Sequence, residues 1–142
     1  MGSHGIKDQV AIVGMGCTPF GEHWHKGTDD LLIDAAEETF ASAGVTKDDV
    51  DAYWLGTAMS GMSGMALARP LQLHDKPVTH VENFCATASE ALRNAAYAVA
   101  SGAYDMAMAI GDRIEMTFRK LFTSDDIHNY FWKARPVRGN ER

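Results

Sequence analysis

Short apolar segments alternate with helix-forming segments through the first 111 residues, and this order constrains the fold more than any other feature. Apolar runs cover residues 10–16, 51–56, 77–84 and 105–111, and the first of them contains β-branched residues and ends in glycine. Runs of this kind are typical of strands that are buried on both faces. The β-α-β-α order therefore predicts an α/β fold with a mainly parallel sheet and right-handed crossovers.

Three helices are predicted between these strands. The first begins near Thr28, whose hydroxyl can cap the helix, continues through an apolar stripe at helical spacing and ends at Gly44. A short second helix is predicted at residues 66–73. The third, at residues 86–101, is rich in alanine and ends before Gly102. Because small side chains let other backbone segments approach closely, we expect this third helix to be central and buried.

Cys85 lies where the extended segment at residues 77–84 meets the alanine-rich helix. A thiol in the first turn of a helix faces free backbone N–H groups and the positive end of the helix dipole, and both favour the thiolate. Cys85 is therefore the candidate nucleophile. The structural alternative is a buried cysteine that acts only as a small apolar side chain.

The composition restricts the classes of function. A formal net charge of −6 disfavours a nucleic-acid partner, since such binding depends on a basic face. No apolar run reaches the ~18 residues that a membrane-spanning helix requires, and the N-terminus lacks the apolar core of a signal peptide. We therefore expect a cytoplasmic protein without a membrane partner, in which Cys17 and Cys85 are free thiols rather than part of a disulfide framework or a zinc site.

Several segments together resemble the thiolase superfamily. Residues 83–91, with the sequence NFCATASEA, and the later apolar run at residues 106–111 are similar to its nucleophile segment. The opening run at residues 10–14 and the sequence TPFG at residues 18–21 resemble the first strand and loop of its sterol-carrier-type and archaeal acetoacetyl-coenzyme A branch. These matches occur in the family's order over residues 6–111, which indicates a thiolase-like N-terminal half.

The resemblance implies a specific chemistry for Cys85. The thiol would accept an acyl group from an acyl-coenzyme A as a thioester, before a carbon–carbon bond to a second acyl thioester is formed or broken. The implied activity is that of an acyl-CoA C-acyltransferase acting on 3-oxoacyl-CoA, with coenzyme A thioesters as substrates and no permanently bound cofactor. The implied partners are a second copy of the chain, an accessory subunit with a zinc ribbon and an oligonucleotide-binding fold, or both.

The family's catalytic histidine and second catalytic cysteine belong to motifs that have no match in this sequence. The unmatched residues of these two types are His4, His23, His25, His74, His80, His128 and Cys17. Two alternatives to an active enzyme follow. The chain could be a non-catalytic assembly subunit that keeps the nucleophile segment for packing, or a truncated or fused thiolase fragment that is inactive alone. The fragment alternative predicts exposed apolar sheet edges.

Residues 112–142 depart from the family pattern. Alternation over residues 114–120, a turn at 123–126 and an aromatic-rich stretch at 127–134 predict a C-terminal β-hairpin. This hairpin resembles the end of the zinc-ribbon accessory proteins that accompany this thiolase branch. We therefore divide the chain into a thiolase-like nucleophile region, residues 1–111, and a tail of different origin or a docking segment, residues 112–142.

Two other patterns have simpler explanations than ligand binding. Gly14, Gly16 and Gly21 do not have the G-x-G-x-x-G spacing of a dinucleotide-binding loop, so a turn at the end of the strand accounts for them better. His23 and His25 lack a third ligand in a matching pattern, so no metal site is predicted.

A methionine-rich loop follows the second predicted strand. Met59, Met62 and Met65 are set among glycine and serine residues. Methionine is flexible and adapts to irregular surfaces. These side chains either line an adaptable acyl or subunit interface or fill gaps beside the core.

Overall fold

The computed structural model describes residues 5–58, 60–112 and 131–136 of the chain. Strands and helices alternate in the predicted order, which confirms the α/β fold. The strands are β1 (Val10–Gly16), β2 (Ala52–Thr57), β3 (Val78–Val81), β4 (Ala107–Asp112) and β5 (Phe131–Pro136). The helices are α1 (Thr28–Ala43), α2 (Met65–Ala68) and α3 (Thr87–Ala100), with short 3-10 turns at Lys47–Asp49 and Phe84–Ala86. Within these ranges, no helix combines the length and the apolar character needed to cross a bilayer.

The strands form one sheet in the order β1-β5-β4-β2-β3. β2 is parallel to both β3 and β4, whereas β5 is antiparallel to both β4 and β1. Two antiparallel pairings in succession leave β1 pointing in the same direction as β4. The carboxyl ends of β1, β2, β3 and β4 therefore lie along one edge of the sheet, which is where open α/β sheets place their sites.

The structure describes two parts of the predicted tail, Asp112 at the end of β4 and the strand β5. Residues 131–136 of β5 overlap the second strand expected for the hairpin, whereas the first expected strand and the turn lie outside the described residues. β5 lies between β4 and β1 and pairs with both of them. It is thus an internal strand of the main sheet. The proposed boundary between residues 111 and 112 remains a prediction.

The helices cover the two faces of the sheet unequally. α1 and α2 cover one face and α3 the other. On the α1 and α2 side, the buried cluster consists of Leu32, Ala35, Ala36, Val50, Tyr53, Leu55, Leu67, Leu71, Met106, Met108 and Ile110. On the α3 side, it consists of Ala91, Ala95, Val99, Ala107 and Ala109. The second cluster is built from small side chains, so α3 lies close to the sheet.

α3 is buried along one stripe rather than on all sides. The buried residues recur every four positions and are Thr87, Ala91, Ala95 and Val99. On the opposite side, Ser89, Arg93 and Tyr97 are exposed, and the Arg93 guanidinium lies over the Tyr97 ring at 5.6 Å from its centroid. The expectation of a buried central helix therefore holds for one face of α3 in the described part of the chain.

Gly14 and Gly16 lie within β1, where α1 packs directly on the strand. A Cβ atom on Gly16 would lie 2.6 Å from the carbonyl oxygen of Ala35, and one on Gly14 would lie 2.6 Å from the Cβ of Ala43. The interpretation of these glycines as a strand-end turn is therefore wrong. They are required because the helix backbone leaves no room for a side chain.

The ends of α1 follow from the local sequence. Gly27, rather than Thr28, is the N-cap residue, and its N–H donates to the side chain of Asp30 at 2.8 Å. At the other end, Gly44 adopts φ 66° and ψ 36°, a left-handed conformation that glycine enters without a steric penalty. The predicted stop at Gly44 is confirmed.

α1 also protects the outer edge of β1. The backbone N–H of Met15 donates to Ser42 Oγ at 3.2 Å, and that of Cys17 donates to Glu38 Oε2 at 3.0 Å. On the face of β1 that α1 leaves open, Ile12 and Met15 are each 53% exposed. These exposed apolar side chains lie on a face of the outer strand, whereas the fragment alternative predicts an exposed edge, which α1 partly covers here.

Candidate active site

Cys85 is exposed and lies in the 3-10 turn that joins β3 to α3. The extended segment ends earlier than its apolar character suggests, because β3 stops at Val81. The regular helix begins at Thr87. Between them, the chain turns at the carboxyl edge of the sheet and presents the Cys85 thiol to solvent. The structure therefore places the candidate nucleophile at the surface and not in the core.

The turn around Cys85 has an unusual backbone. Phe84 adopts φ 45°, in the left-handed region that residues other than glycine enter at a cost. The N–H of Phe84 donates to Glu82 Oε1 at 2.6 Å, and the N–H of Asn83 donates to Thr87 Oγ1 at 2.7 Å. The N–H of Ala86 donates to the carbonyl oxygen of Asn83 at 2.9 Å and closes the turn. Sequence patterns gave no signal for this conformation.

A glycine in β2 lets the start of α3 rest on the sheet. A Cβ atom on Gly56 would lie 2.8 Å from the backbone oxygen of Thr87 and 3.1 Å from its Cγ2. Both residues are buried. The first turn of α3 is therefore fixed against β2 by direct backbone contact, only two residues after Cys85.

His80 is close to Cys85 in sequence but lies on the other face of the sheet. Val81 packs with the α3 cluster, so the preceding side chain in the strand points to the opposite face. The His80 Nε2 atom contacts the carbonyl oxygen of Thr57 at 2.9 Å. This histidine therefore anchors the end of β2 and is not placed to act on the Cys85 thiol.

Cys17 follows the carboxyl end of β1. In the strand order, β1 and β3 are the two outermost strands, so three strands separate them. The Cys17 thiol is half-buried and donates to the carbonyl oxygen of Thr18 at 3.3 Å. Burial, and to a lesser extent the carboxylate of Glu38, raises the pKa of this thiol above its ordinary value. The structure therefore does not bring the two cysteines together, and the surroundings of Cys17 disfavour its thiolate.

This difference predicts selective alkylation. At pH 8, iodoacetamide is expected to label Cys85 at least about tenfold faster than Cys17, because the raised pKa lowers the thiolate fraction of Cys17 and burial hinders access. Peptide mass spectrometry at short labelling times measures both rates, and a Cys17→Ser variant should retain the fast phase. Equal rates for the two thiols would contradict the described exposure of Cys85.

His23 and His25 lie close together in the loop after β1. Their ring centroids are 6.3 Å apart, and His23 Nε2 contacts the carbonyl oxygen of Pro19 at 2.7 Å. Within residues 5–58, 60–112 and 131–136, no group of three histidine, cysteine, aspartate or glutamate side chains is arranged to hold a metal ion.

Comparison with known proteins agrees with this architecture. Residues 10–134 match the model of the thiolase N-terminal domain family. The chain is 35% identical over 108 residues to an acetyl-CoA acetyltransferase of Methanocaldococcus jannaschii, a match that covers 72% of this chain and 28% of that protein. It is 28% identical over 138 residues to sterol carrier protein 2 of Bos taurus, covering 93% of this chain and 24% of that protein. These relatives confirm the resemblance to the archaeal and sterol-carrier-type branch.

The same fold occurs in solved structures of low sequence identity. The priming β-ketosynthase of the R1128 polyketide biosynthetic pathway superposes with a TM-score of 0.74 at 13% identity, covering 92% of this chain and 51% of that protein. The match ends at residue 134, inside β5, so it includes the first four of the six residues of this strand. The chain spans about a quarter of the length of the curated relatives it matches. By the match over residues 10–134, the chain belongs to the thiolase family and carries its N-terminal domain.

Proposed function

We propose that this chain carries the acyl-accepting cysteine of a thiolase-type acyltransferase that cleaves or forms a 3-oxoacyl-CoA. The observation that carries the proposal is the exposed Cys85 thiol, held in a strained turn at the start of α3, within the family match. The relative named acetyl-CoA acetyltransferase supports the substrate class. The free cysteines support a cytoplasmic location, where thiols stay reduced.

The proposed first step is a transthioesterification. The Cys85 sulfur attacks the thioester carbonyl of an acyl-CoA, the bond from that carbonyl to the coenzyme A sulfur breaks, and coenzyme A leaves with the proton of the Cys85 thiol. In the condensation step, a second acyl-CoA loses a proton from its α-carbon, and that carbon attacks the carbonyl of the enzyme thioester. The bond from this carbonyl to the Cys85 sulfur breaks, and the sulfur takes up a proton to restore the thiol. The reverse sequence cleaves a 3-oxoacyl-CoA. A thioester intermediate divides one difficult carbon–carbon step into two easier ones. By the family resemblance, the histidine and second cysteine that take part in acid–base catalysis belong to motifs without a match in this chain.

Direct detection of the intermediate tests the proposal. The chain is incubated with acetyl-CoA, and intact-mass spectrometry is used to detect one added acetyl group. Neutral hydroxylamine should remove that group, because it cleaves thioesters. Free coenzyme A should appear in equal amount. Absence of an adduct at millimolar acetyl-CoA, in a chain that is folded by circular dichroism, would contradict the proposal for the chain alone.

The alternative is a thiolase part that does not work by itself, either an assembly subunit or a fragment. The exposed Ile12 and Met15 side chains on β1 favour this alternative, because they provide an apolar surface that a further protein element could cover. It predicts no acetyl adduct on the isolated chain. The accessory subunit with a zinc ribbon remains a prediction from the family resemblance.

The proposal includes a homodimer formed through β3. β3 is an outer strand of the described sheet and pairs there with β2. Met65 follows Gly64, whose backbone packs against Val78 at the start of β3, and Phe84 comes shortly after the end of β3. The Met65 and Phe84 side chains are 66% and 83% exposed. An outer strand flanked by exposed apolar side chains is a template for pairing with a second chain.

Aspartate in place of Thr79, an exposed residue of β3, is expected to raise the Kd of this dimer about five- to tenfold. Antiparallel pairing about a two-fold axis would bring the two new carboxylates together. Sedimentation velocity over a concentration series measures the effect. Ser101→Asp adds the same charge after the end of α3 and serves as the control. A wild-type chain that is monomeric at all concentrations, or equal effects of both variants, would contradict the interface.

A further inference from the structure

We propose that Thr87 is a positioning residue, whose hydroxyl oxygen fixes the turn that presents the Cys85 thiol. This inference rests on the proposed function, because it assigns a role in acyl capture. Thr87 is the first residue of α3 and is only 6% exposed. Its Oγ1 accepts a hydrogen bond from the backbone N–H of Asn83 at 2.7 Å. Cys85 lies midway between the donor residue and the acceptor residue, so this one bond spans the whole turn.

The turn needs such a bond because its backbone is strained. Phe84 has φ 45°, and a non-glycine residue keeps this conformation only where the surroundings hold it there. Two side chains bond to backbone N–H groups of the turn, Glu82 to Phe84 and Thr87 to Asn83. Glu82 is exposed, so water competes for its bond, whereas the Thr87 side chain is buried. Because the bond between Asn83 and Thr87 is partly buried and the bond between Phe84 and Glu82 is exposed, loss of the Thr87 acceptor is expected to disturb the turn more than loss of the Glu82 acceptor.

Contacts with the sheet determine where the Thr87 hydroxyl lies. The backbone oxygen of Thr87 and its Cγ2 approach Gly56 so closely that a Cβ atom on Gly56 would lie 2.8 and 3.1 Å from them. β-branching restricts the rotamer of threonine. With the backbone and the methyl group both placed against β2, the Oγ1 atom has a fixed position relative to the sheet. Thr87 therefore fixes the position of the turn, and of the Cys85 thiol, relative to the sheet.

Two variants separate the hydroxyl from the shape of the side chain. Thr87→Val keeps the β-branched shape and removes the acceptor, whereas Thr87→Ser keeps the acceptor. Thr39→Val is the matched control, because Thr39 is also buried and its hydroxyl donates to the carbonyl oxygen of Ala35 at 2.8 Å, in α1. The Thr39→Val variant shows how much the loss of a buried threonine hydroxyl changes the protein when that hydroxyl lies away from the turn. Circular dichroism and an unfolding transition establish that each variant is folded.

The first measurement is hydrogen exchange of the Asn83 amide, which needs no catalytic activity. Thr87→Val is expected to raise this exchange rate at least about tenfold relative to the amides of β2, while Thr87→Ser and Thr39→Val change it less than about threefold. An unchanged Asn83 rate in Thr87→Val would overturn the proposal. This outcome is independent of whether Cys85 captures an acyl group.

The second measurement compares two reactions of the same thiol. Acyl capture from acetyl-CoA is expected to fall about tenfold or more in Thr87→Val, because it needs an oriented thiol, and serine should restore it. Alkylation of Cys85 by iodoacetamide needs only an accessible thiol and should change less than about threefold. A parallel fall of both reactions, together with faster labelling of Cys17, would show a purely structural role. Faster Asn83 exchange with no acyl capture by the wild type would refute the proposed function and leave the positioning of the turn standing.

Discussion

Alanine in place of Cys85 is expected to abolish acetyl transfer from acetyl-CoA to this chain, with a loss of at least about a thousandfold in the rate of adduct formation. The reason is chemical, since the methyl side chain of alanine has no atom that can form a thioester. Because Cys85 is exposed, its removal should leave the free energy of unfolding within about 0.5 kcal/mol of the wild type. Loss of the adduct would then result from the missing thiol and not from unfolding of the chain.

Cys17→Ala is the matched control for this experiment. Cys17 is half-buried and lies at the other end of the sheet, so the control variant should form the adduct at the wild-type rate. Peptide mapping of the wild-type adduct should place the acetyl group on Cys85. The proposal would be wrong if the adduct persisted in Cys85→Ala or disappeared in Cys17→Ala. Either result would assign acyl capture to a different side chain.

Local patterns predicted most of the architecture around this site. The first apolar run corresponds to β1, Val10–Gly16, and the glycine stop at Gly44 is observed in the left-handed conformation. Such features depend on residues close together in sequence. Apolar runs and cap residues encode a strand or a helix end by themselves. The parallel order of β2, β3 and β4 then follows because consecutive strands are joined by helical crossovers.

The position of β5 could not be read from these patterns. The aromatic-rich segment at residues 127–134 predicted a strand, and the structure has β5 at Phe131–Pro136. Its neighbours are β4 and β1, the second of which lies more than a hundred residues earlier in the chain. The alternation of apolar and polar residues predicts that a segment forms a strand, but it does not determine which strands pair with it. The sequence predicted a hairpin partner for this strand, whereas its partners among the described residues are β4 and β1.

The candidate site shows the same division between local and long-range information. The position of Cys85 at the start of an alanine-rich helix was predicted, because it depends on adjacent residues. The left-handed Phe84 and the bond from Asn83 to Thr87 were not, because no sequence pattern marks a strained non-glycine residue. Gly56 is the last residue of the apolar run at residues 51–56, and that run predicts only a strand. The close contact of Gly56 with Thr87 depends on the distance between α3 and β2, which periodicity does not determine.

Gly16 provides the second large effect that we expect, this time on stability. A Cβ atom at this position would lie 2.6 Å from the carbonyl oxygen of Ala35 and 2.7 Å from both the backbone nitrogen and the Oγ1 of Thr39. Two of these three atoms belong to the backbone of α1, so a side-chain rotation cannot relieve the contact. The backbone of Gly16 is that of an ordinary strand residue, so alanine adds no conformational strain there. The whole effect therefore comes from pushing α1 away from β1.

Gly16→Ala is expected to lower the free energy of unfolding by about 2–3 kcal/mol, the upper part of the range for overpacking a tight core. Urea denaturation followed by circular dichroism measures the change. Gly27→Ser is the control, because a Cβ at Gly27 would come no closer than 3.7 Å to Asp30 Oδ2 and serine is a favourable N-cap residue. The control should be as stable as the wild type or slightly more stable. If Gly16→Ala unfolded at the wild-type urea concentration, α1 could not lie directly on β1, and the capping of the β1 edge by Glu38 and Ser42 would be lost with that packing.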